Sequence, residues 1–440
     1  MSIRFRAAGC IALILAPAPS AVFAKSDGKS DAKLEAAYVV LGSQGAIARA
    51  VYKHATDCPS ITVDTSSRQM SVRALPQTGK KAAFPVLVCE LLLPTGATSA
   101  ALGKRKLPLP PSALGSVAVI GDTGCRLKAD KSSPRDEDHP EDGKFQDCDQ
   151  KSQWPFSTLA ASVAKRKPQV LVHVGDYIYR ESPCPKGDKG CKGSPYGDNW
   201  DTWKADFFKP AAPLLAAAPW IATRGNHEIC SRNGAGYMLF LDATLAQNQT
   251  PPACVDLIPQ FAVTVGSQQF VVLDSSNAPD DCASACESAP YAAQFAAMQP
   301  ANGAWLVSHR PVWGFKNKGV SLNATLQAAL AQWQGKLPPG FALALAGHIH
   351  IWEALSFTDQ RSPQLVLGNG GTMLTHKIKQ KLAGMSIGGT TVSYGNSVDK
   401  WGFTIFTPKK SAASWTATYY STKGNDKFAC SLTPTAVSCP

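Results

Sequence analysis

The sequence predicts an α/β protein built as a layered sandwich of β-sheets with helices on the outside. The first observation is a series of short apolar runs, from 116–122 to 364–371, that each end at small or polar residues. The second is the helical period of segments between those runs, such as 156–167 and 325–336. Strands that alternate with helices indicate an α/β fold, and continuous apolar runs indicate strands that are covered on both faces.

The composition excludes several classes of protein. The chain has 440 residues, of which 44% are hydrophobic and 17% are charged, so it is too apolar for general disorder. Its net charge of +12 is diffuse, with no basic helix or aromatic-interleaved patch, so no nucleic-acid groove is evident. We interpret this charge as a solvated surface; its functional alternative is mild attraction of an anionic ligand.

The first 24 residues have the pattern of a secretory signal peptide. Arg4 and Arg6 give a short basic start, an apolar stretch follows, and Val22-Phe23-Ala24 fits a cleavage site. The apolar stretch contains proline and is too short for a spanning helix. We therefore predict that residues 1–24 are removed and that the protein is exported, to the periplasm or the medium, without a membrane anchor.

The cysteines indicate disulfide bonds. The chain has 13 cysteines, and removal of Cys10 with the signal peptide leaves an even number, as is typical of exported proteins. No CxxC pair is present, so thiolate metal sites are not favoured. The spacing does not fix the connectivity, but it suggests pairs of near neighbours: Cys58–Cys89, Cys125–Cys148, Cys184–Cys191, Cys230–Cys254, Cys282–Cys286 and Cys430–Cys439.

The part of the chain before the alternating strands and helices differs in composition. Residues 25–35 are polar and charged, which predicts a leader. Residues 36–112 contain short β-rich runs separated by turn residues, which predicts a small N-terminal β-sandwich-like domain. A proline-rich stretch at 106–115 indicates a linker, so we expect the α/β domain to occupy residues 113–440.

Several apolar runs end in side chains that bind metals. Taken singly, each has an ordinary explanation, because a Gly-Asp after a strand is usually a turn and a buried histidine is usually a core residue. Taken together they indicate one site, since strand ends of an α/β fold gather at one rim. The residues are Asp122, Asp176, Tyr179, Asn226, His227, His309, His348 and His350.

This set of side chains suits two adjacent metal ions. Carboxylate, phenolate and imidazole suit iron(III), while imidazole, amide and carboxylate suit a divalent ion such as zinc, manganese or iron(II). A carboxylate shared by both ions can hold them about 3.5–4 Å apart. Their charge lowers the pKa of bound water and clamps the oxygens of a phosphoryl group. The set therefore indicates a site for two adjacent metal ions, whose chemistry suits a phosphoryl group.

The motifs that carry these residues resemble the five ordered motifs of the calcineurin-like metallophosphoesterase superfamily. They are GDTG (121–124), GDYIY (175–179), GNHE (225–228), VSH (307–309) and GHIH (347–350). The chain resembles the purple acid phosphatase branch in particular, because Gly124 stands where most relatives have a histidine ligand and Tyr179 would supply the missing ligand. The resemblance implies a metallophosphoesterase-type ββ sandwich flanked by helices over 113–440. That branch often carries an N-terminal β-sandwich as well.

The resemblance implies two groups of metal ligands that share Asp176 as a bridge. The group that would complete an iron(III) site consists of Asp122, Tyr179 and His350. The group that would hold iron(II), zinc or manganese consists of Asn226, His309 and His348.

The resemblance also implies how phosphate is attacked and held. A metal-bound hydroxide would attack phosphorus in line, with no covalent enzyme intermediate. His227 would stabilise the phosphoryl oxygens or protonate the leaving alcohol. Arg126 and Arg310 lie next to motifs, where they could grip phosphate or could equally be supporting or surface residues.

Two features depart from the usual pattern of the branch. Leu306 replaces a valine in the fourth motif, which is a conservative change. Plant relatives place further histidines between the fourth and fifth motifs to contact substrate, whereas Trp313, Lys316 and Lys318 occupy that stretch here. The resemblance therefore supports the metal site more strongly than it supports acid catalysis or a preference for monoesters.

We expect an exported, dinuclear-metal, acid-phosphatase-like hydrolase of small anionic phosphomonoesters. The alternative is a phosphodiesterase or nucleotide hydrolase on the same site, if residues 182–200 and 231–260 leave room for a second ester group. A non-catalytic surface binding protein is disfavoured because all seven ligand positions and His227 carry the residues that the motifs require. The sequence does not define the oligomeric state.

Overall fold

The computed structural model describes residues 32–129, 145–281, 287–316, 319–376, 378–410 and 413–440. The predicted signal peptide, the leader up to residue 31, Lys318 and the expected Cys282–Cys286 pair lie outside the described residues.

Most regular structure in the described residues is β-strand. In the first half of the chain the strands are β1 (Lys33–Gly42), β2 (Gly45–Lys53), β3 (Ser60–Val63), β4 (Ser66–Gln69), β5 (Ser71–Ala74), β6 (Leu87–Leu92), β7 (Ala100–Leu102), β8 (Arg105–Lys106), β9 (Val117–Ile120), β10 (Val170–His173) and β11 (Trp220–Ala222). The later strands are β12 (Phe261–Val265), β13 (Gln268–Val272), β14 (Ala304–Val307), β15 (Gly314–Lys316), β16 (Val320–Leu322), β17 (Phe341–Ala346), β18 (Trp352–Phe357), β19 (Gln364–Leu367), β20 (Ser386–Ile387), β21 (Thr390–Val398), β22 (Gly402–Pro408), β23 (Trp415–Ser421), β24 (Lys427–Thr433) and β25 (Ala436–Ser438).

The helices are short and lie between the strands. They are α1 (Phe156–Ala164), α2 (Trp200–Trp203), α3 (Lys209–Leu215), α4 (Gly234–Phe240), α5 (Ala289–Ala297) and α6 (Ala324–Ala329). A π-helical turn at Lys204–Phe208 joins α2 to α3, and single 3₁₀ turns form at Asn226–Glu228 and Ala331–Trp333. The helical periods at 156–167 and 325–336 are thus confirmed by α1, and by α6 with its 3₁₀ turn.

In each of the two main sheets, the central strands are parallel to one another. The large sheet has the order β25-β24-β23-β22-β9-β10-β11-β1-β2-β6-β5, and the second has the order β12-β13-β14-β17-β19-β18-β21-β20. Strands β9, β10, β11 and β1 are parallel neighbours in the first, as are β13, β14, β17 and β19 in the second. Because parallel strands end at the same edge, the loops after them collect on one side of each sheet.

The buried side chains define four layers. In β9, Val117 and Val119 belong to the core between the two sheets, together with Trp305 of the second sheet. The alternate residues Ala118 and Ile120 belong to a core that includes α1 and α3, since successive side chains of a strand point to opposite faces. Helices α5 and α6 cover the outer face of the second sheet. The predicted layered α/β sandwich is confirmed.

The structure differs from the expectation of a separate domain at 36–112. Strands β1, β2, β5 and β6 lie in the large sheet, where Val40 of β1 pairs with Trp220 of β11. The strands β4, β3, β7 and β8 form a small sheet of their own. The physical reason lies in β1: all side chains from 36 to 41 are buried, so this strand needs cover on both faces. No division into compact units falls at residue 112.

The end of the predicted leader is part of this sheet as well. Strand β1 begins at Lys33, and the Glu35 carboxylate accepts a hydrogen bond from Lys204 Nζ at 2.5 Å. Residues 33–35 are therefore structural and not a leader.

Five of the six suggested disulfide bonds are formed. They are Cys58–Cys89, Cys125–Cys148, Cys184–Cys191, Cys230–Cys254 and Cys430–Cys439. In the part of the chain that the structure describes, none of the helices is long and apolar enough to cross a membrane.

Candidate metal centre

The predicted site residues follow parallel strands of both main sheets. Three loops of the large sheet, after β9, β10 and β11, carry Asp122, the segment 176–179 and the pair 226–227. Two loops of the second sheet, after β14 and β17, carry His309 and the segment 348–350. All eight side chains are buried, with at most 2% of their surface exposed. The structure therefore brings together residues that are more than 200 positions apart.

The first ligand group meets at the phenol oxygen of Tyr179. Tyr179 Oη lies 3.1 Å from Asp122 Oδ1 and 3.0 Å from His350 Nε2. His350 Nε2 is in turn 3.6 Å from Asp122 Oδ1. Three atoms that can bind a cation therefore face one point.

The second ligand group meets at the amide oxygen of Asn226. Asn226 Oδ1 lies 2.8 Å from His309 Nε2 and 2.9 Å from His348 Nδ1. The two imidazole rings are 5.3 Å apart between centroids and nearly perpendicular. One amide oxygen and two ring nitrogens thus form a second possible cation site.

Asp176 lies between the two groups. Its Oδ2 is 2.7 Å from Tyr179 Oη of the first group and 3.2 Å from His309 Nε2 of the second. Ligand atoms of Asp122, Asp176 and His309 all lie within 4.8 Å of one another. The position fits a carboxylate that is shared by two metal ions.

The ring nitrogens that face away from the site are bonded to other groups. His309 Nδ1 is 2.8 Å from the carbonyl oxygen of Val174, and His350 Nδ1 is 2.9 Å from that of Met373. A carbonyl oxygen can only accept, so these nitrogens carry the proton and Nε2 presents its lone pair to the site. Such outer hydrogen bonds orient metal-binding histidines in general.

The backbone of the ligand loops is strained. Asp122, Asp176 and His348 have positive φ angles of 56°, 59° and 70°. This left-handed conformation is unfavourable for residues with a side chain and is found at functional sites that the surrounding structure holds in place. Three of the seven predicted ligands therefore keep a costly conformation.

Two glycines make the close approach of these loops possible. Gly175 has a φ of 97°, and a Cβ there would lie 2.5 Å from His309 Nδ1. A Cβ on Gly124 would lie 2.7 Å from both the oxygen of Tyr177 and the nitrogen of Tyr179. Since no side chain fits at Gly124, Tyr179 is the residue that reaches the first ligand group in its place.

Burial and mutual repulsion act on the acidic groups of the site. Burial, together with the Asp176 carboxylate, raises the pKa of Asp122 well above its ordinary value. Burial and the carboxylates of Asp122 and Asp176 also raise the pKa of Tyr179 well above its ordinary value. Burial would also raise the pKa of Asp176, but the His309 and His227 imidazoles outweigh it and hold that pKa well below normal. This crowding of oxygen and imidazole donors is relieved by cations, and the donor set fits two.

His227 lies beside the ligands. Its ring centroid lies 3.8 Å from that of Tyr179, with the ring planes tilted by 37°, and its Nε2 is 3.9 Å from Asp176 Oδ2. On the other side, Nδ1 is 2.7 Å from Glu181 Oε1 and 2.8 Å from a guanidinium nitrogen of Arg232. Burial and the Arg232 charge lower the pKa of His227 to about 4, and an anionic phosphate bound beside it would raise that pKa. The same Arg232 nitrogen is 3.2 Å from Nε2, so Nε2 lies between Arg232 and the Asp176 carboxylate.

Three carboxylates that were not among the predicted site residues support the site. Glu228 accepts backbone N–H groups of Tyr177 and Ile178 at 2.9 and 3.0 Å, which fixes the loop after Asp176. Glu181 holds His227, and Asp280 holds His348. Only Glu228 carried a signal, since it closes the third motif.

Arg126 and Arg310, the two arginines whose role the sequence did not define, are both buried. Arg310 donates to Asp280 Oδ1 at 2.7 Å, on the far side of His348 from Asn226. Arg126 has its guanidinium carbon 5.9 Å from the centroid of the Tyr179 ring. Arg310 is therefore a supporting residue, while Arg126 lies next to the first ligand group.

Comparison with known proteins agrees with this geometry. A family model described as calcineurin-like phosphoesterase matches residues 115–352, somewhat more than half of the chain. The chain therefore belongs to the calcineurin-like phosphoesterase family. Members of this family are metal-dependent hydrolases with a dinuclear metal site. A search of curated proteins found no match.

Two solved structures share the fold over most of their length. One is a purple acid phosphatase from yellow lupin (Lupinus luteus) seeds, with a TM-score of 0.54 and 13% identity over 89% of this chain and 73% of that one. The other is PhoD, with a TM-score of 0.51 and 13% identity over 92% of this chain and 91% of that one. At this identity the likeness concerns the fold alone.

Proposed function

We propose that the protein is an exported phosphatase that hydrolyses small anionic phosphomonoesters at a dinuclear metal site. The observation that carries this proposal is the position of Asp176 between two separate groups of ligand atoms, with His227 beside them. Two cations held there would lower the pKa of water and neutralise the phosphoryl oxygens. The five described disulfide bonds support an oxidising, extracytoplasmic location.

The donor atoms of the two groups differ, which supports two different metals. The first group has a phenol, a carboxylate and an imidazole, which suits iron(III). The second has an amide and two imidazoles, which suits zinc, manganese or iron(II). Asp176 supplies the negative charge that both cations share.

The side chains around the ligands divide the remaining work. When water replaces the ester oxygen on phosphorus, the departing alcohol needs a proton. His227 can give it through Nε2, because Glu181 holds Nδ1 on the opposite side of the ring and Nε2 is the nitrogen nearer Asp176. Glu228 keeps the loop of Asp176 in place during the reaction.

The proposal is tested with a nitrophenyl phosphate monoester and the matching diester, assayed from acidic to alkaline pH with metal-stripped protein as the control. Faster monoester cleavage that disappears on metal removal is the expected result. Faster diester cleavage would make the protein a phosphodiesterase or nucleotide hydrolase, the alternative that the sequence leaves open. Turnover that survives complete metal removal would contradict the metal mechanism.

A further inference from the structure

Asp280 is a partly buried carboxylate, with 18% of its side chain exposed, that contacts a predicted metal ligand and lies outside every motif. It is in the loop after β13, and its Oδ2 is 2.9 Å from His348 Nε2. The opposite nitrogen of the same ring, Nδ1, is 2.9 Å from Asn226 Oδ1 within the second ligand group. One imidazole therefore has a carboxylate on its outer side and the metal ligands on its inner side.

The chemistry of the two ring nitrogens gives Asp280 a definite role. A neutral imidazole carries one proton, and a nitrogen that binds a cation cannot carry it. A carboxylate only accepts, so Asp280 favours the tautomer with the proton on Nε2 and the lone pair of Nδ1 directed at the second ligand group. Arg310 also lies 3.0 Å from Nε2, but a guanidinium only donates and would favour the opposite tautomer.

Other contacts hold the Asp280 carboxylate in place. Its Oδ1 accepts hydrogen bonds from Arg310 at 2.7 Å and from Asn323 Nδ2 at 3.0 Å. Its carbonyl oxygen accepts from the backbone N–H of Ala324 at 2.9 Å. Arg310 directly follows the ligand His309, and Asn323 caps α6, so Asp280 is fixed between the second ligand group and the start of that helix.

We propose that Asp280 is a positioning residue that fixes the tautomer of His348 and thereby sets the affinity of the second ligand group for its divalent ion. This inference rests on the dinuclear site of the proposed function, but not on the choice of substrate. The first ligand group consists of Asp122, Tyr179 and His350, and its ring nitrogen is oriented by the carbonyl of Met373 instead. Loss of Asp280 should therefore affect one metal and not the other.

The variant Asp280→Asn tests the proposal with little change of shape. An amide can still accept from Arg310 through its oxygen, but its NH₂ group then faces His348 Nε2 and donates to it. That reverses the preferred tautomer and places the proton on Nδ1, towards the cation. We expect binding of Co²⁺, used as the probe for the divalent site, to weaken about 10–100-fold, while the other metal remains bound as in the wild type.

A matched control separates orientation from general loosening. Asp242 is likewise an aspartate paired with an arginine, Arg73, at 3.6 Å, and it contacts none of the predicted ligands in the described structure. Asp242→Asn should bind two metals as tightly as the wild type does. Equal weakening in both variants, or unchanged Co²⁺ affinity in folded Asp280→Asn, would overturn the proposal. A wild-type protein that binds fewer than two metals would instead contradict the proposed function.

A direct measurement covers the case in which Asp280→Asn does not fold. The wild-type protein, loaded with Zn²⁺ at both sites and labelled with ¹⁵N in histidine, reports the protonated nitrogen of His348 by NMR. A proton on Nε2 is the expected result. A proton on Nδ1 would overturn the assignment.

Discussion

Several contacts fix the backbone and the carboxylate of Asp176. Its backbone is in the left-handed region, its N–H donates to Glu228 Oε2 at 3.1 Å, and its Oδ1 accepts from the backbone N–H of His227 at 2.9 Å. Oδ2 remains directed at Tyr179 and His309. Strain of about 1–3 kcal/mol at such a residue is retained where the position itself is needed.

The variant Asp176→Asn keeps the shape of this side chain and removes its charge. We expect both metals to bind more weakly and kcat to fall about 1,000-fold or more, because several kcal/mol of charge stabilisation is lost. Metal content by mass spectrometry and initial rates measure the two effects. A variant with two tightly bound metals and wild-type turnover would refute the shared-carboxylate assignment.

The variant His227→Ala tests the proton donor. We expect a loss of about 100-fold or more on an alkyl phosphate, whose leaving group needs a proton, and a much smaller loss on nitrophenyl phosphate. The comparison uses one protein preparation and two substrates, so a loss of folded protein affects both rates equally. Equal losses would mean that His227 stabilises the phosphoryl oxygens and does not protonate the alcohol.

The metal ligands could be proposed from the sequence, whereas their supporting carboxylates could not. Each ligand follows an apolar run within a short spaced motif. Asp280 lies 68 residues from His348 in the chain, and a single aspartate in a loop has no pattern that distinguishes it from a surface residue. Its role depends on the packing of two loops, which only the fold brings together.

At the scale of elements, Glu353 on β18 is the buried group with the clearest consequence. Its Oε1 accepts the backbone N–H of Phe315 on β15 at 3.0 Å, and its Oε2 has no hydrogen-bond partner in the described structure. Burial raises the pKa of Glu353 to about 8 from an ordinary value of 4.5. The folded protein therefore keeps this proton over a pH range in which the unfolded chain loses it.

The sign of the pH dependence follows from this shift. The contribution of Glu353 to stability is fully present below about pH 4.5 and is lost as the pH rises towards 8, by roughly 3–5 kcal/mol in total. From pH 5 to pH 9 the wild type should lose free energy of unfolding because Glu353 ionises. The variant Glu353→Gln cannot ionise at this position and should not show that loss. Thermal unfolding at the two pH values measures the difference.

A surface carboxylate provides the control for this experiment. Glu287 is exposed, so Glu287→Gln should follow the wild-type pH dependence. Parallel wild-type and Glu353→Gln curves from pH 5 to pH 9 would show that Glu353 is not the buried acid described here.

The positions of the strands were predicted better than their pairing in the sheets. The runs that became β9, β10, β11, β14 and β17 are apolar on both faces, which indicates a covered sheet wherever the strand lies. Nothing local in 36–112 shows that β1 pairs with β11, since Val40 and Trp220 are far apart in the sequence. Pairing between distant strands depends on the assembled core and not on the composition of either segment.

At the scale of the whole molecule, the N-terminal strands and the rest of the chain share one core. Buried Arg73 of β5 donates to Glu90 at 2.8 Å and to the backbone oxygens of Leu239 and Thr244 at 2.9 and 2.6 Å. These carbonyls lie in and after α4, which follows the third motif. The segment 36–112 therefore holds α4 and the chain just after it in place.

A protein that consists of residues 113–440 alone should not fold. Removing β1 exposes the edge of β11 and leaves the α4 carbonyls without their arginine donors, and a buried arginine–carbonyl network of this kind is costly to break. Circular dichroism and thermal unfolding of the truncated chain, compared with the chain that begins at residue 32, test this. A cooperative transition and metal binding in 113–440 would show that the N-terminal segment is a separate domain after all.

The central claim is that seven side chains from two sheets hold two metal ions joined by Asp176. Anomalous diffraction from crystals of the protein loaded with iron and zinc tests it most directly. The account predicts one peak bound by Asp122, Tyr179 and His350, a second bound by Asn226, His309 and His348, and Asp176 in contact with both. A single peak, or a second peak that Asp176 does not reach, would contradict it.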